Sequence, residues 1–316
     1  MEGPRKLVPL FEIERISQNN RQYNRRPRRL ANKIKVMFKT VKNRVWAFDA
    51  EWIPDPLAGK LLYNLPDDMP DLDVLKHMWK EGGASEEDPT PYLKTVVCRI
   101  VSVAAIDRLV SEGNTKLHLL SLPRDLNDPE QISEKSVVST FLDKVGQYKP
   151  QLVGFNSASA DLKAFVQRAV VLGIQAKGFC SRPNKPWEGD DYFDSRNSEA
   201  SIDIKDVVGG WGKATPSLNE IATLSGIPGK MDVDGEEVAF LWLDGKLDEI
   251  VAYNEFDALT TYLVWLRVAH FGGHFTGEEY DVEQQLVREL ISSEIENGKI
   301  HLKKYLEEWN RLKARI

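Results

Sequence analysis

Short apolar runs and longer amphipathic stretches follow one another along most of this chain. Four runs have the length and residue content of β-strands, and a proline closes the first of them: residues 45–54, 99–107, 115–120 and 151–156. Three stretches repeat apolar residues every three or four positions, as amphipathic helices do: 134–148, 161–172 and 247–271. Strands interleaved with helices predict an α/β fold with a mixed sheet.

Three further regions stand apart from this alternation. Residues 55–95 form an acidic insertion with a predicted short helix at 71–80, closed by two glycines. Residues 180–200 are rich in Pro, Gly, Asp, Asn and Ser, which predicts a loop near the cleft. Residues 278–316 predict one or two charged helices. The chain therefore divides into an N-terminal arm, a central α/β domain and a helical C-terminal extension: 1–43, 44–274 and 275–316.

Charge is distributed unevenly between the arm and the remaining chain. Residues 1–44 contain 13 Lys or Arg against three Glu, a net charge of +10, whereas the remaining residues contain 29 basic and 45 acidic side chains, a net charge of −16. The densest basic stretch surrounds Tyr23: Arg21, Arg25, Arg26, Arg28, Arg29, Lys33 and Lys35. Such a stretch either binds phosphates and releases counterions or forms a solvated tail, and both interpretations stay open.

Composition restricts the class of protein. A chain of 316 residues with 42% hydrophobic content can bury one main core. The two cysteines and five histidines show no metal-site spacing. An N-terminal apolar segment typical of secretion and a run long enough to cross a membrane are both lacking in the sequence. We therefore expect a cytoplasmic protein that does not bind membranes.

Candidate chemistry comes from three distant stretches that together supply four carboxylates and a tyrosine. Asp49 and Glu51 share one face of the first strand, because side chains alternate along a strand. Asp161 opens a helix, and Tyr253 and Asp257 lie four apart on the long helix and therefore share a face. Each stretch alone also fits an ordinary role: a solvated strand face, a first-turn acid or a salt bridge. Only their convergence would make a site.

These stretches resemble the three motifs of the DEDD superfamily of 3′-to-5′ exonucleases, in particular the predicted bacterial exonucleases related to the proofreading domain of family-B DNA polymerases. The resemblance spans residues 45–267. Its motifs are Asp49-x-Glu51; Gly154-Phe155-Asn156 with Asp161 and Arg168; and Tyr253-x-x-x-Asp257. The segments 201–206, 217–218, 226–230 and 234–235 are similar to the connecting pattern of the same group.

The third motif is similar to the tyrosine subclass, since Ala252 stands where the histidine variant would place its His. The second motif departs from the usual Phe-Asp-x-Pro, because Ala160 precedes Asp161 and Lys163 replaces the Pro. Without that Phe, looser packing around Asp161 is expected.

The resemblance implies an RNase H-like fold with a mixed five-stranded sheet flanked by helices. It also implies hydrolysis from the 3′ end of single-stranded or frayed DNA, dependent on two divalent cations, with release of nucleoside 5′-monophosphates. Hard oxygen ligands suit Mg²⁺ or Mn²⁺. By resemblance, Asp49 bridges both ions, Glu51 and Asp257 complete the water-activating site, Asp161 contacts the second ion, and Tyr253 orients the water.

Nucleic-acid contacts are expected from side chains beside these motifs and from the arm: Trp52, Asn156, Arg168, Lys230, Arg25, Arg26, Arg28 and Arg29. Core packing for Trp52, a local turn bond for Asn156 and a solvated side chain for Lys230 are the alternatives. Two other functions stay open: a nucleic-acid-binding protein without turnover, and an RNA-processing exonuclease. The sequence does not identify a partner polymerase.

Overall fold

The computed structural model describes residues 38–185, 188–194, 197–210, 212–231, 235 and 237–315. The basic stretch at 21–35, with Arg25, Arg26, Arg28 and Arg29, lies outside the described residues. A five-stranded sheet forms the centre of the described chain, with the strand order β3-β2-β1-β4-β5. Its strands are β1 (Arg44–Pro54), β2 (Cys98–Ser111), β3 (Asn114–Leu122), β4 (Gln151–Gly154) and β5 (Ser201–Asp203).

The sheet is mixed, because β1, β2 and β3 pair antiparallel whereas β4 and β5 run parallel to β1. The predicted α/β fold with a mixed five-stranded sheet is therefore confirmed. The helices are α1 (Pro56–Tyr63), α2 (Asp71–Glu81), α3 (Glu134–Tyr148), α4 (Asp161–Val171), α5 (Lys177–Cys180), α6 (Ile204–Val208), α7 (Leu218–Leu224), α8 (Val238–Leu243), α9 (Leu247–Phe271), α10 (Gly277–Glu296) and α11 (Leu302–Lys313). Among the described helices, none is both long enough and apolar enough to cross a bilayer.

Helices cover both faces of the sheet. Successive residues of β1 point to opposite sides, so this strand contributes to a core on each face. Val45 and Ala47 pack with α9, α10 and α11. Trp46 and Phe48 pack with α3 and α4 on the other face. The sheet is thus buried on both sides, and the apolar surface of the long helix α9 is covered by β1 and β2 on one side and by the C-terminal helices on the other.

The parallel arrangement of β1, β4 and β5 brings their carboxyl ends to one edge of the sheet. The chain leaves β4 at Gly154, where an added Cβ would lie 2.4 Å from the Cβ of Ser157, so the tight turn requires glycine. Asn156 follows with φ of 64°, in the left-handed region that asparagine tolerates. This turn leads directly into α4, whose first residue is Asp161.

The loop predicted at 180–200 differs in position from the expectation. Its described residues contact the amino ends of the parallel strands: Tyr192 donates to the carbonyl of Pro150 at 2.7 Å, and Glu199 accepts the backbone N–H of Lys39 at 2.6 Å. The polar composition predicted a loop correctly but carried no information about which end of the sheet it covers.

Both ends of the described chain pack on the central domain. Phe38 is 4% exposed and stacks on His274 with ring centroids 4.6 Å apart. The imidazole of His274 also hydrogen-bonds the carbonyl of Phe38 at 2.9 Å. In α11, Tyr305 and Trp309 are fully buried in the core that includes α9. The residues at 38–43 and the C-terminal helices therefore share the core of the sheet.

Candidate active site

Three carboxylates from two elements meet beside the centre of β1. Asp49 and Glu51 project from β1 and Asp257 from α9, and one ligand oxygen of each lies within 4.8 Å of the others. All three side chains are half-buried. The pairing of β1 with β2 shifts between Glu51 and Trp52, and such irregularities bend a strand and redirect its side chains. Residues about 200 positions apart in sequence therefore share one cluster.

The helix α9 supplies the tyrosine together with Asp257. One turn of helix separates Tyr253 from Asp257, which places both on the same face. The Tyr253 phenol lies close enough to the Asp257 carboxylate to lower the pKa of that carboxylate. Burial, followed by the charges of Asp257, Glu51 and Asp49, raises the pKa of Tyr253. The phenol is consequently neutral at every physiological pH and acts as a hydrogen-bond donor.

A fully buried amide holds Asp49 in place. Asn254 is 0% exposed, and its Nδ2 donates to Oδ2 of Asp49 at 3.0 Å. The other end of the same amide is also fixed, because Ser102 Oγ on β2 donates to Asn254 Oδ1 at 3.1 Å. This chain of two hydrogen bonds connects β2, α9 and β1, and leaves Oδ1 of Asp49 available to a ligand.

Asp161 approaches the cluster from the first turn of α4. It is 4% exposed, and the backbone of Ala50 on β1 lies close enough to its carboxylate to lower its pKa in part. Its Oδ1 is buried and has no hydrogen-bond partner among the described residues. A buried carboxylate oxygen without a partner is costly unless a cation or water satisfies it. The small Ala160 beside it leaves Asp161 buried rather than loosely packed.

The four carboxylates disfavour their own ionisation. Burial, then the charges of Asp161, Glu51 and Asp257, raises the pKa of Asp49 well above its usual range. Burial, then Asp257 and Asp161, has the same effect on the pKa of Glu51. Burial raises the pKa of Asp161 to about 7 and the pKa of Asp257 to about 6. Positive charge and hydrogen-bond donors stabilise such a group of carboxylates in its ionised form.

The residues present fit divalent cations of the hard type. Every side chain in the cluster donates oxygen, which suits Mg²⁺ or Mn²⁺ rather than metals that prefer sulfur or imidazole. The orphaned oxygen of Asp161 and the short separations among Asp49, Glu51 and Asp257 give a cation immediate ligands.

The turn before Asp161 is fixed from β5. Asp203 accepts the backbone N–H of Asn156 at 2.8 Å, of Ala158 at 3.0 Å and of Lys205 at 3.0 Å. Lys205 Nζ in turn donates to Oδ1 of Asn156 at 3.0 Å. This carboxylate therefore sets the conformation of the turn between β4 and α4, and through it the position of the first residues of α4.

Asp49, Glu51 and Asp161 line an open cleft of ≈ 720 Å³. Trp52, Asn156 and Lys230 also line it, together with the segment 87–93 of the insertion. The backbone N–H of Lys230 donates to Asn219 Oδ1 at 2.8 Å, which orients the exposed lysine. Its positive charge lowers the pKa values of Glu51 and Asp257. Trp52 is half-buried and also packs against the core on the α3 side of the sheet.

Arg168, which the sequence predicts to contact nucleic acid, lies buried among partners inside the protein. Its side chain is 3% exposed and forms ion pairs with Glu134 at 2.6 Å and Asp55 at 2.7 Å, while Nη1 donates to the carbonyl of Val96 at 3.0 Å. The three nitrogens of this guanidinium are thus engaged inside the protein, away from the lining of the cleft, and the nucleic-acid contact of Arg168 stays a prediction. Arg168 ties α4 to α3 and to the start of the insertion.

Three residues near the carboxylates escaped the sequence analysis: Ser102, Asn254 and Tyr92. Asn254 follows Tyr253 directly, so its place inside the third motif was a usable signal. A polar residue such as Ser102 within an otherwise apolar strand was a weaker one. Tyr92 lies in the insertion without any local pattern that predicts its position.

The geometry agrees with a comparison against known protein families. The model of a family described as a predicted 3′-5′ exonuclease related to the exonuclease domain of PolB matches residues 90–309. The chain belongs to this family. The match includes Asp161, Tyr253 and Asp257, and it extends through α10 into α11, so the C-terminal helices belong to the matched region. Asp49 and Glu51 precede it, and it is the pairing of β1 that brings them to Asp257.

Comparisons with other proteins add little to this assignment. No curated protein matches the chain. Among solved structures, the chain is similar to the family B DNA polymerase from the hyperthermophilic archaeon Pyrobaculum calidifontis, with 17% identity and a TM-score of 0.40. The similarity covers 78% of this chain and 27% of the polymerase chain, so the chain spans about a quarter of that protein.

Proposed function

We propose that this protein hydrolyses phosphodiester bonds at the 3′ end of single-stranded or frayed DNA, with two divalent cations as cofactors, and releases nucleoside 5′-monophosphates. The observation that carries the proposal is the group formed by Asp49, Glu51 and Asp257, with the buried, unpartnered oxygen of Asp161 beside it. Membership in a family of predicted 3′-5′ exonucleases supports the direction of cleavage. DNA is favoured over RNA because the family is related to a DNA polymerase domain.

The proposed cations would be held by the four carboxylates of Asp49, Glu51, Asp161 and Asp257. When bound, they would lower the pKa of water and offset the charge of the phosphate, which otherwise repels a nucleophile. Ionised carboxylates are required for this role, and Lys230 already favours the ionised forms of Glu51 and Asp257. The protein's contribution is an array of negative oxygens fixed before substrate arrives.

Tyr253 has the role of a positioning donor in this proposal. Its phenol is neutral and lies beside Asp257, so its single O–H can orient a water molecule without competing for a cation. Lys230 lies in the same cleft and offers a positive charge to a phosphate of the strand. Trp52 and Asn156 line the cleft as well and are proposed to contact the terminal nucleotide. The tyrosine thus assigns the protein to the DEDDy type within this proposal.

The experiment that tests the proposal uses 5′-labelled single-stranded DNA and RNA of the same sequence, incubated with the full-length protein and Mn²⁺. A ladder of products shortened from the 3′ end of DNA is expected, and nucleoside 5′-monophosphate should accumulate. Chelation by EDTA should abolish it. A ladder on RNA alone would favour an RNA-processing enzyme instead, and binding without shortening would favour a protein that has lost turnover.

Two variants separate the site from general damage. Asp49→Asn keeps the shape and removes a charge from a repelling cluster, so it should fold at least as well as the parent yet produce no ladder. Asp128→Asn changes a carboxylate on the exposed turn 125–131 and should cleave like the parent. Equal activity of Asp49→Asn and the parent would overturn the assignment of this cluster.

A further inference from the structure

The cleft has a wall contributed by the insertion between β1 and β2. Residues 87–93 line it together with the carboxylates Asp49 and Asp161. Tyr92 is the aromatic residue of this wall. It is 69% exposed, although it faces the cleft, and it forms no ring contact or hydrogen bond with any described residue.

A turn closes one end of the wall, and hydrogen bonds to other elements anchor the other end. On one side, the backbone of Ser85 donates to the carbonyl of Asp88 at 2.9 Å, and Asp88 donates back to Ser85 Oγ at 3.1 Å, which closes a turn. On the other side, Thr95 Oγ1 donates to Gln167 Oε1 at 2.7 Å. The carbonyl of Val96 is held by Arg168, and the carbonyl of Val97 accepts the backbone N–H of Asp55 at 2.9 Å.

Two prolines stiffen the part between these anchors. Pro89 and Pro91 restrict the backbone on either side of Thr90, and Pro91 directly precedes Tyr92. Leu93, the residue after Tyr92, packs its side chain inward against the apolar cluster that includes Trp79. This contact fixes the backbone next to Tyr92. The wall therefore presents the Tyr92 ring toward the cleft at a defined place, without covering it with protein atoms.

The surroundings of Tyr92 indicate what its ring can do. A tyrosine phenol is uncharged near neutral pH, so the group does not act as a base there. A neutral, exposed aromatic face beside phosphodiester chemistry suits a flat apolar ligand. Nucleobases stack on such faces with little regard to sequence, because every base has a π-face.

We propose that Tyr92 forms a stacking subsite for a nucleobase that flanks the scissile linkage. This inference rests on the proposed function and extends it. The insertion wall binds one base of the strand, while the phosphate of the strand lies at the carboxylates. The insertion thereby contributes to substrate recognition, and the preference it creates is for unpaired bases, since a paired and stacked base does not offer its face. Frayed and single-stranded ends satisfy that condition.

The test measures binding of the full-length protein to a fluorescent oligothymidylate in Ca²⁺, with a phosphorothioate at the terminal linkage to block turnover. Tyr92→Ala should weaken binding by about 5- to 150-fold, the range found for single base–aromatic stacks. Tyr92→Phe should bind like the parent, because the ring rather than the hydroxyl is used. Phe271→Ala removes an aromatic ring that is 80% exposed at the end of α9 and should have no effect.

Strands without one base locate the subsite. The same oligomer is made with an abasic unit at the terminal or at the penultimate nucleotide. On one of these two strands, the penalty of Tyr92→Ala should disappear, because the stacking partner is gone. A penalty that persists on both abasic strands, or that is lacking on the intact strand, overturns the proposal. Since Tyr92 is largely exposed, unchanged thermal unfolding of Tyr92→Ala is expected, and Tyr92→Leu provides a second variant with an apolar side chain but no aromatic face.

Hydrolysis of bis(p-nitrophenyl) phosphate with Mn²⁺ separates failure of the subsite from failure of the proposed function. This probe contains no nucleobase, so the parent and Tyr92→Ala should hydrolyse it equally. If the parent does not hydrolyse it but shows base-dependent binding through Tyr92, the nuclease proposal fails while the subsite stands. If the parent and Tyr92→Ala hydrolyse the probe equally but binding through Tyr92 does not depend on a base, the subsite proposal fails while the nuclease proposal stands.

Discussion

At the scale of single residues, the cluster depends on side chains that never touch a substrate. Both ends of the buried Asn254 amide take part in fixing Asp49: Nδ2 donates to Asp49, and Oδ1 accepts from Ser102. An aspartate among repelling carboxylates has several rotamers of similar energy unless a donor selects one. The amide selects the rotamer that leaves Oδ1 of Asp49 free for a ligand.

The variant Asn254→Ala should therefore weaken the binding of Mn²⁺ by about 10- to 100-fold, as is typical when a partner of a metal-binding residue is removed. Isothermal titration calorimetry measures this affinity without turnover. Ser102→Ala removes only the outer bond and should have a smaller effect. Asn297→Ala, at the end of α10, serves as the matched amide control. Unchanged Mn²⁺ affinity in Asn254→Ala would show that Asp49 needs no such support.

The raised pKa values of the carboxylates predict how stability changes with pH. A carboxyl group whose pKa is higher in the native than in the unfolded state holds its proton better when folded, so the native state loses stability as pH rises. With the pKa of Asp257 at about 6 and that of Asp161 at about 7, the metal-free protein should lose stability between about pH 4 and pH 7.

Thermal unfolding in EDTA across this pH range measures the effect. Mn²⁺ should oppose the loss, since it binds the ionised carboxylates of the native state alone. Asp49→Asn should show a shallower decline than the parent, because one member of the repelling group is neutral. A metal-free protein that gains stability over the same range would contradict the assigned sign.

Sequence patterns located the carboxylates but not their supports, and the reason is physical. Asp49, Glu51 and Asp257 follow from strand alternation and helix periodicity, which are local. Ser102 reaches Asn254 only through the pairing of β2 with β1, and Tyr92 reaches the cleft only through the course of the insertion. Arg168 shows the converse: it belongs to a motif, yet its partners Glu134 and Asp55 on other elements bury it.

At the scale of elements, α9 serves two regions with opposite faces. Tyr253 and Asp257 lie on the side of α9 that meets Asp49 and Glu51, whereas Glu255 between them points to β3 and to the segment joining α10 and α11. There Glu255 accepts from Lys299 at 2.5 Å and contacts His301 at 2.7 Å, and Ser121 on β3 donates to the same carboxylate. These partners, His301 first, outweigh the cost of burial and lower the pKa of Glu255.

Glu255→Gln should consequently destabilise the protein strongly. Removing one partner of a buried ion pair costs about 3 to 5 kcal/mol, because the remaining charge loses its compensation. Urea unfolding at neutral pH measures the loss. Because the pKa of Glu255 is lowered on folding, its stabilisation is lost as pH falls, so the difference between variant and parent should shrink on acidification.

Glu294→Gln is the matched control, since Glu294 pairs with the same Lys299 at 3.6 Å through a more exposed carboxylate. A change of about 0 to 1 kcal/mol is expected there. Equal losses of stability in the two variants would mean that the ion pair of Lys299 with buried Glu255 contributes no more than its ion pair with the more exposed Glu294. Glu255 would then not hold α9.

Element boundaries were predictable where periodicity is long and local. The bounds of α3 and α9 agree with the apolar spacing, and α4 begins at Asp161 as expected. The short strand β5 and the short helices α5 and α6 contain too few residues to show a period. The loop at 180–200 was recognisable as a loop, but its position at the amino ends of the strands depends on contacts with Pro150 and Lys39.

At the scale of the whole molecule, an acidic central region carries a strongly basic N-terminal segment. The carboxylates of the cleft and Glu87 and Asp88 on its wall make the described part of the cleft unfavourable for a bare phosphate backbone. Lys230 is a cation of that lining, and divalent cations would add to it. A phosphate-binding segment elsewhere in the chain would compensate by long-range attraction.

Removal of residues 1–37 tests whether the basic segment has this role. The truncation ends before Phe38, because Phe38 stacks on His274 and the backbone of Lys39 and Thr40 binds Glu199, so a longer deletion would open the core. We expect weaker binding of single-stranded DNA and a flatter dependence of the logarithm of affinity on the logarithm of salt concentration. Each lost phosphate contact should reduce that slope by about 0.7.

Anisotropy titrations over a series of salt concentrations give the slope, and calorimetry gives the Mn²⁺ affinity, which should not change because Asp49, Glu51, Asp161 and Asp257 all remain. Replacement of Arg25, Arg26, Arg28 and Arg29 by Gln in the full-length chain distinguishes charge from length. If phosphates are the partners, this variant reproduces most of the loss. A truncated protein with the salt slope of the parent would instead mean that the basic segment does not bind the strand, and that the attraction which brings DNA to an acidic cleft comes from bound cations and Lys230.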